Sequence, residues 1–187
     1  EGTLGVITAA VLKLHPKLTA SANAWIEVRD PQRAVELLSH LRRACGDRLS
    51  AFELLSRSCV DAVTSLRPAI RDPLPGRGAW YVLVELADSG SSAVLQEKLE
   101  KGLADAHDAG LATNAVVAKN ETESRALWAI RETVPEAQFA NVKHDVSVPV
   151  SRVPELVERA AAALAAAIPG VALYCFGHVG DGNLHYN

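Results

Sequence analysis

The sequence of 187 residues contains no methionine, and its charges nearly balance. Without methionine the chain includes no natural translation start, so we expect it to be part of a longer protein. The net charge of -3 shows no excess of basic residues, so nucleic acid is not an expected partner. No apolar run approaches the roughly 20 residues that span a bilayer, and we expect no transmembrane segment.

Cysteine is also scarce, with Cys45, Cys59 and Cys175 the only three. Their odd number and wide spacing argue against a disulfide framework and against a cysteine zinc site. They predict reduced thiols and a cytoplasmic location. The sequence shows no secretory signal, and its lack of an H-E-x-x-H pattern argues against a zinc hydrolase.

What is present is typical of a globular domain, with 49% hydrophobic and 22% charged residues. The β-branched run GVITAAVLKLHP (residues 5–16) predicts a strand, and AWYVLVELAD predicts another. Asp30-Pro31 and Asn120 with Glu123 predict helix starts. Strands and helices alternate irregularly, without a glycine-rich phosphate loop. This order predicts an α+β fold: antiparallel sheets with helices on one face, built from ferredoxin-like units.

The stretch FGHVGDGNLHYN (residues 176–187) places two histidines around a turn signal. If Asp181-Gly182 form a two-residue type I′ loop, His178 lies directly opposite His185. Directly opposed side chains project from one face with Cβ atoms about 4.5–5.5 Å apart. Asn187 would share that face. The same pattern also fits two surface histidines without a ligand.

Two imidazoles at that separation can bind one metal ion, but they would not complete a site. Catalytic zinc usually has three protein ligands and an open position. A third ligand, expected to be a carboxylate, must come from elsewhere. Zinc is the expected metal, although imidazole also suits iron, nickel and copper.

The segment GHVGDGNLHYN resembles the H-x-G-D-G-N-x-H motif of FAD-linked 2-hydroxy acid oxidases and dehydrogenases. This family includes D-lactate dehydrogenases, the flavin subunit of glycolate oxidase and D-2-hydroxyglutarate dehydrogenase. EGTLGVITAAVLKLHPKL is similar to the end of the family's FAD-binding domain, and ALWAIRETVPEA and KHDVSVPVSRVPELV to its substrate domain. The resemblance implies that residues 1–18 are the tail of the FAD-binding domain. Residues 19–187 would be the substrate domain, truncated at its C-terminal end.

The resemblance also implies roles for individual residues. His178 and His185 match the histidines that bind a divalent metal, and Asn187 matches a residue lining the substrate pocket. Arg131 and Lys143 match basic residues that hold the substrate carboxylate. A further set matches backbone that packs against the flavin: Glu1, Gly2, Gly5, Val6 and Ile7.

The implied function is oxidation of a D-2-hydroxy acid to the 2-oxo acid by hydride transfer to FAD, with a metal ion polarising the hydroxyl. The implied partners are the hydroxy acid and an electron acceptor, either a quinone, a cytochrome or a flavoprotein; a homodimer is left open. In this family the FAD pyrophosphate loop lies upstream and the carboxylate metal ligand downstream, so we expect the isolated chain to lack stable FAD and turnover. The alternative is a metal-binding ferredoxin-like module without redox activity, in which the segment EGTLGVIT would have no purpose.

Overall fold

The computed structural model describes residues 2–76 and 78–187. Within these ranges the chain forms one seven-stranded sheet, in which every paired strand is antiparallel. The strands are β1 (Ala20–Val28), β2 (Leu49–Ser56), β3 (Trp80–Asp88), β4 (Asn114–Val117), β5 (Asp145–Ser147), β6 (Cys175–His178) and β7 (Asn183–Tyr186). The helices are α1 (Pro31–Cys45), α2 (Arg57–Leu66), α3 (Ser92–Asp108), α4 (Glu121–Ala137) and α5 (Val153–Ala167).

The strand order is β4-β1-β3-β2-β6-β7-β5. Strands β1 to β4, with α1 and α3 as crossovers, have the order of a ferredoxin-like unit, and α2 is inserted between β2 and β3. Strands β6, β7 and β5 extend the same sheet beside β2. The predicted α+β class with an antiparallel sheet is confirmed.

Helices cover both faces of this sheet, whereas the sequence predicted them on one. On the first side, α1, α3 and α5 pack against residues such as Ile26, Leu54 and Val84; we call this side the apolar face. On the second side, α2 and α4 pack against residues such as Trp25 and Leu83; we call this side the polar face. Successive strand residues point to opposite faces. Because β1 and β3 carry apolar side chains at both odd and even positions, both sides need a helical cover.

The two predicted helix starts are confirmed. The Asp30 side chain accepts a hydrogen bond from the backbone N–H of Arg33 at 2.8 Å, and proline follows Asp30 as the first residue of α1. Asn120 accepts from the backbone N–H of Glu123 at 3.0 Å, and its amide donates to the Glu123 carboxylate at 3.1 Å. The second cap fixes where α4 begins, and α4 carries Arg131.

The strand predicted for residues 5–16 is wrong, because these residues belong to no helix or strand. Their apolar side chains are exposed, among them Val6, Ile7 and Val11. A strand needs a partner for its backbone hydrogen bonds, and no described segment of the chain pairs with this run. The domain boundary after residue 18 stays a prediction.

In the part of the chain that the structure describes, none of the helices combines the length and apolarity that crossing a membrane requires. The three cysteines are all free and buried. This agrees with the expected absence of a disulfide framework.

Candidate functional site

A buried carboxylate lies at the centre of the polar face. Glu53 sits in β2, directly opposite His178 of β6, and its side chain is 1% exposed. The Arg131 Nε–H donates to Glu53 Oε2 at 2.7 Å. Glu53 Oε1 is in ion-pair contact with His178 Nδ1, but it accepts no hydrogen bond of regular geometry within the described ranges. The carboxylate thus links a guanidinium on one side to an imidazole on the other.

Arg131 reaches this carboxylate from α4. The helix buries Leu127, Ile130 and Val134 against the sheet, which brings the adjacent Arg131 to the edge of the interface with its side chain 12% exposed. The guanidinium also lies over the ring of Phe176, 4.8 Å from the centroid, in a cation–π contact.

The outer part of this guanidinium makes no hydrogen bond to a described residue. Among the described residues only Glu53 accepts a hydrogen bond from Arg131, through Nε, and the two terminal nitrogens have no acceptor. A planar guanidinium held in this way can bind a carboxylate with two parallel hydrogen bonds. The polar face therefore carries a guanidinium that Glu53 and Phe176 hold in place.

The register of the histidine hairpin differs from the prediction. His185 lies opposite Phe176, two residues before His178, so the two histidines are not directly opposed. The turn is a 3-10 segment, Val179–Asp181, followed by Gly182 at φ 78°, and no described non-glycine residue has a positive φ. The type I′ loop at Asp181-Gly182 is therefore wrong, since it needs a positive φ at both positions.

Both histidines still lie on the same face, as predicted. Side chains alternate along a strand with a period of two, so a shift of two residues preserves the face. His178 pairs with Glu53 in β2, and Phe176, two residues earlier, pairs with His185 in β7. The diagonal separation expected for such neighbours is about 7–8 Å between Cα atoms.

Two glycines of the motif shape this hairpin. At Gly182 a Cβ atom would lie 1.9 Å from the Val148 carbonyl oxygen, and at Gly177 (φ 149°) it would lie 2.6 Å from the Asn183 carbonyl oxygen. Asp181 then closes the turn by accepting a hydrogen bond from the backbone N–H of Asn183 at 3.0 Å. Asp181 and Gly182 of the motif, and Gly177 just before it, thus have direct backbone roles.

Each imidazole has a carboxylate beside its Nδ1 atom. His178 Nδ1 contacts Glu53, and His185 Nδ1 lies 3.5 Å from Asp145 Oδ1. The ring of His185 also packs against Phe176, with 4.7 Å between centroids. Histidines that ligate a metal usually donate the other ring N–H to a carboxylate or carbonyl group. In both residues this pattern leaves Nε2 as the atom that could bind a metal ion.

These two residues account for only part of a metal site. Within residues 2–76 and 78–187, no group of three or more His, Cys, Asp or Glu side chains could hold a metal ion. The donor chemistry of His178 and His185 fits a divalent ion, but a third protein ligand is not among the described groups. The expectation that a carboxylate ligand comes from elsewhere stays a prediction.

The other two predicted substrate contacts lie outside the Glu53 cluster. Lys143 is exposed, and its ammonium donates to the Pro135 carbonyl at 3.5 Å. The Asn187 side chain accepts from the backbone N–H of His144 and donates to Gln138 Oε1, both at 2.9 Å. Both the oxygen and the nitrogen of the Asn187 side-chain amide are therefore hydrogen-bonded to protein groups. The substrate contacts of Lys143 and Asn187 stay predictions.

The predicted flavin contacts are not brought to this cluster. Glu1 lies outside the described residues. Gly2 and Gly5 are exposed, and Val6 and Ile7 are 89% and 87% exposed. Their role against a flavin stays a prediction.

Sequence reasoning missed Glu53, the residue that joins the cluster. The stretch SAFELLS reads as a strand whose one charged residue stands between apolar neighbours. A carboxylate inside a buried strand needs a partner, because charged side chains are rarely fully buried unless they are paired. That signal would have singled out Glu53 from the sequence, although not its partners.

Two buried thiols, Cys59 on the polar face and Cys175 on the apolar face, are unreactive near neutral pH. Burial raises the pKa of Cys59 to about 11, and Gln138 donates to its sulfur at 3.6 Å. Burial also raises the pKa of Cys175 above its usual range. Because the thiolate is the reactive form, neither cysteine is suited to be a nucleophile near neutral pH.

Comparison with known proteins identifies the family. Residues 17–187 match the family described as "FAD linked oxidases, C-terminal domain". The chain belongs to this family. This confirms the resemblance seen in the sequence.

Several known proteins are similar to this chain along its whole length. It is 33% identical over 192 residues to the mitochondrial D-2-hydroxyglutarate dehydrogenase of Arabidopsis thaliana, covering 100% of this chain and 33% of the relative. It is 35% identical over 190 residues to the enzyme of the same name from Danio rerio, with 100% and 35% coverage. It is also 28% identical over 197 residues to a D-2-hydroxyglutarate–pyruvate transhydrogenase of Saccharomyces cerevisiae, with 100% and 40% coverage. The chain thus spans about a third of the length of the first of these relatives.

A solved structure agrees in fold. The alkyldihydroxyacetonephosphate synthase superposes with a TM-score of 0.58 over 98% of this chain and 39% of its own, at 16% identity. At that identity the similarity supports the architecture and not the reaction.

Proposed function

We propose that this chain is the substrate domain of a longer FAD-dependent enzyme that oxidises a D-2-hydroxy acid to the 2-oxo acid. Among the lactate, glycolate and 2-hydroxyglutarate classes, we propose 2-hydroxyglutarate first, because several relatives carry that substrate in their names. The observation that supports the proposal is the arrangement at Glu53. One buried carboxylate holds a guanidinium with unused donors beside an imidazole whose Nε2 is also unused.

The substrate is an anion, so its recognition calls for a fixed cation. The terminal nitrogens of Arg131 bind the substrate carboxylate, while Glu53 and Phe176 hold the guanidinium in place. His178 and His185 would hold a divalent metal ion, together with a ligand from outside the described groups. The hydroxyl group of the bound substrate then lies between the carboxylate anchor and the two imidazoles.

Oxidation removes a hydride from the α-carbon and a proton from the hydroxyl oxygen, which leaves the 2-oxo acid. When bound, FAD accepts the hydride and a divalent ion lowers the pKa of the hydroxyl group. The residues of this chain supply position and charge: Arg131 orients the carboxylate, and the imidazoles orient the hydroxyl. We propose a quinone, a cytochrome or a flavoprotein as the electron acceptor of the full-length enzyme. The cytoplasmic location also stays a proposal.

The test uses the full-length protein that contains this chain. We expect a flavin absorption spectrum, stoichiometric divalent metal, and reduction of an artificial electron acceptor with D-2-hydroxyglutarate. D-Lactate and glycolate serve as competing substrates. A full-length protein with metal but without flavin or turnover would contradict the proposal and favour the metal-binding module without redox activity.

A further inference from the structure

The Glu53 carboxylate serves two neighbours at once. Its Oε2 accepts from Arg131, which comes from α4, and its Oε1 contacts His178, which comes from β6. The sheet sets the second contact, because Glu53 and His178 are direct partners across β2 and β6. With 1% of the Glu53 side chain exposed, little water competes for either oxygen.

A purely structural ion pair would not need this arrangement. Replacing a buried ion pair by apolar residues is often neutral or stabilising, so a buried pair is weak evidence for stability alone. Here the described chain gives no acceptor to the terminal nitrogens of Arg131 and no partner to Nε2 of His178. Both groups contact Glu53, and their remaining nitrogens have no partner among the described residues.

We propose that Glu53 is a positioning residue that orients the Arg131 guanidinium and fixes the His178 imidazole in the tautomer that presents Nε2 to a metal ion. This inference rests on the proposed function, which assigns the substrate carboxylate to Arg131 and the metal to His178. A carboxylate in contact with Nδ1 favours a proton on that atom, and a proton on Nδ1 leaves the lone pair on Nε2. Glu53 itself touches neither substrate nor metal.

The variant Glu53→Gln separates the two contacts. Its amide oxygen can still accept from Arg131 Nε, but its NH₂ group then faces His178 Nδ1. An NH₂ group needs an acceptor there, which moves the imidazole proton to Nε2 and blocks the ligating atom. In the full-length protein we expect about 10- to 100-fold weaker zinc affinity, measured against a competing chelator. Activity should return when the zinc concentration is raised.

A spectroscopic readout and a control keep the effect specific. With ¹⁵N-labelled histidine in the metal-free protein, we expect His178 to carry its proton on Nδ1 in the wild type and on Nε2 in Glu53→Gln. The control is Glu85→Gln. The Glu85 carboxylate accepts a hydrogen bond from Trp128, which is in α4 like Arg131, and it lies away from Arg131 and His178. Its zinc affinity and the His178 tautomer should match the wild type.

The variant Glu53→Asp provides a second test if Glu53→Gln does not fold. It keeps the negative charge, so His178 should keep its proton on Nδ1 and zinc affinity should fall less than in Glu53→Gln. Wild-type zinc affinity with an unchanged tautomer in Glu53→Gln would overturn this inference and leave the proposed function intact. A wild-type protein that binds no divalent metal would instead overturn the metal part of the proposed function, and this inference with it.

Discussion

The two faces of the sheet differ in the size of their buried apolar cores, which is larger on the apolar face, and in their polar content. The apolar face carries residues such as Ile26, Leu54 and Val84 beneath three helices. The polar face adds the buried side chains of Asn23 and Glu53 to its aromatic and aliphatic core. Burying a charge costs several kcal/mol unless it is paired. The difference therefore concentrates the buried polar groups, including the one buried carboxylate of the described residues, on the polar face.

On the polar face, the exposure of the side chains increases where the helical cover ends. Arg131, at the edge of α4, is 12% exposed, whereas His178 is 55% and His185 is 32% exposed. Exposure thus increases from the buried anchor to the imidazoles.

The largest expected effect comes from the apolar face. Leu54→Ala removes a fully buried side chain and should lower the free energy of unfolding by about 2–5 kcal/mol. Because Leu54 points away from Arg131, the KM for D-2-hydroxyglutarate should stay within about twofold. Chemical unfolding and steady-state kinetics of the full-length protein measure both. The control Val94→Ala, at a position that is 60% exposed, should change neither.

The histidine hairpin gives the next largest effect. Gly182→Ala forces a Cβ atom against the Val148 carbonyl at a positive φ, and should cost about 2–4 kcal/mol of stability. Gly110→Ala is the matched control, because Gly110 also has a positive φ (68°) but nothing lies within 4 Å of an added Cβ. The control should cost only about 1–2 kcal/mol. Equal losses in the two variants would argue against close packing at the hairpin.

On the polar face, Arg131→Lys should affect binding more than stability. Lysine keeps the positive charge but loses the planar fork that binds a carboxylate through two hydrogen bonds. We expect KM for D-2-hydroxyglutarate to rise about 10- to 100-fold, or about 1.4–2.7 kcal/mol. The matched control is Arg125→Lys on the same helix, whose exposed ion pair with Glu121 should contribute little. Similar KM values in both variants would remove Arg131 from substrate binding.

The smallest expected effect is a pH dependence of stability from Cys59. Its pKa is about 11 in the folded chain against a reference of 9.0, because burial disfavours the thiolate. Between those values the unfolded chain loses a proton that the folded chain keeps, so stability is full below pH 9 and falls as the pH rises towards 11. By pH 10 the loss should be about 1 kcal/mol. Cys59→Ala should flatten this slope in unfolding curves, and an unchanged slope would contradict the assignment.

The sequence predicted the features that depend on local chemistry. The caps at Asp30 and Asn120 follow from side-chain hydrogen bonds within three residues. The common face of His178 and His185 survived an error in register because the error was an even number of residues. Arg131 was found only through the family resemblance, since a lone arginine on a helix is usually a solvated charge.

Features that depend on distant pairing could not be predicted in the same way. The contact of Glu53 with His178 needs β2 to pair with β6, and no local pattern specifies that neighbour. The helices on both faces follow from the position of β1 and β3 inside the sheet. The turn at Val179–Asp181 follows from close backbone contacts at Gly177 and Gly182, which the Asp-Gly signal alone does not show.

The most direct test of the central claim is a crystal structure of the full-length protein with zinc and D-2-hydroxyglutarate bound. Our account predicts that a ligand carboxylate is bound by the terminal nitrogens of Arg131, with zinc on Nε2 of both His178 and His185 and Glu53 still between Arg131 and His178. A ligand bound away from Arg131, or zinc on other residues, would contradict it.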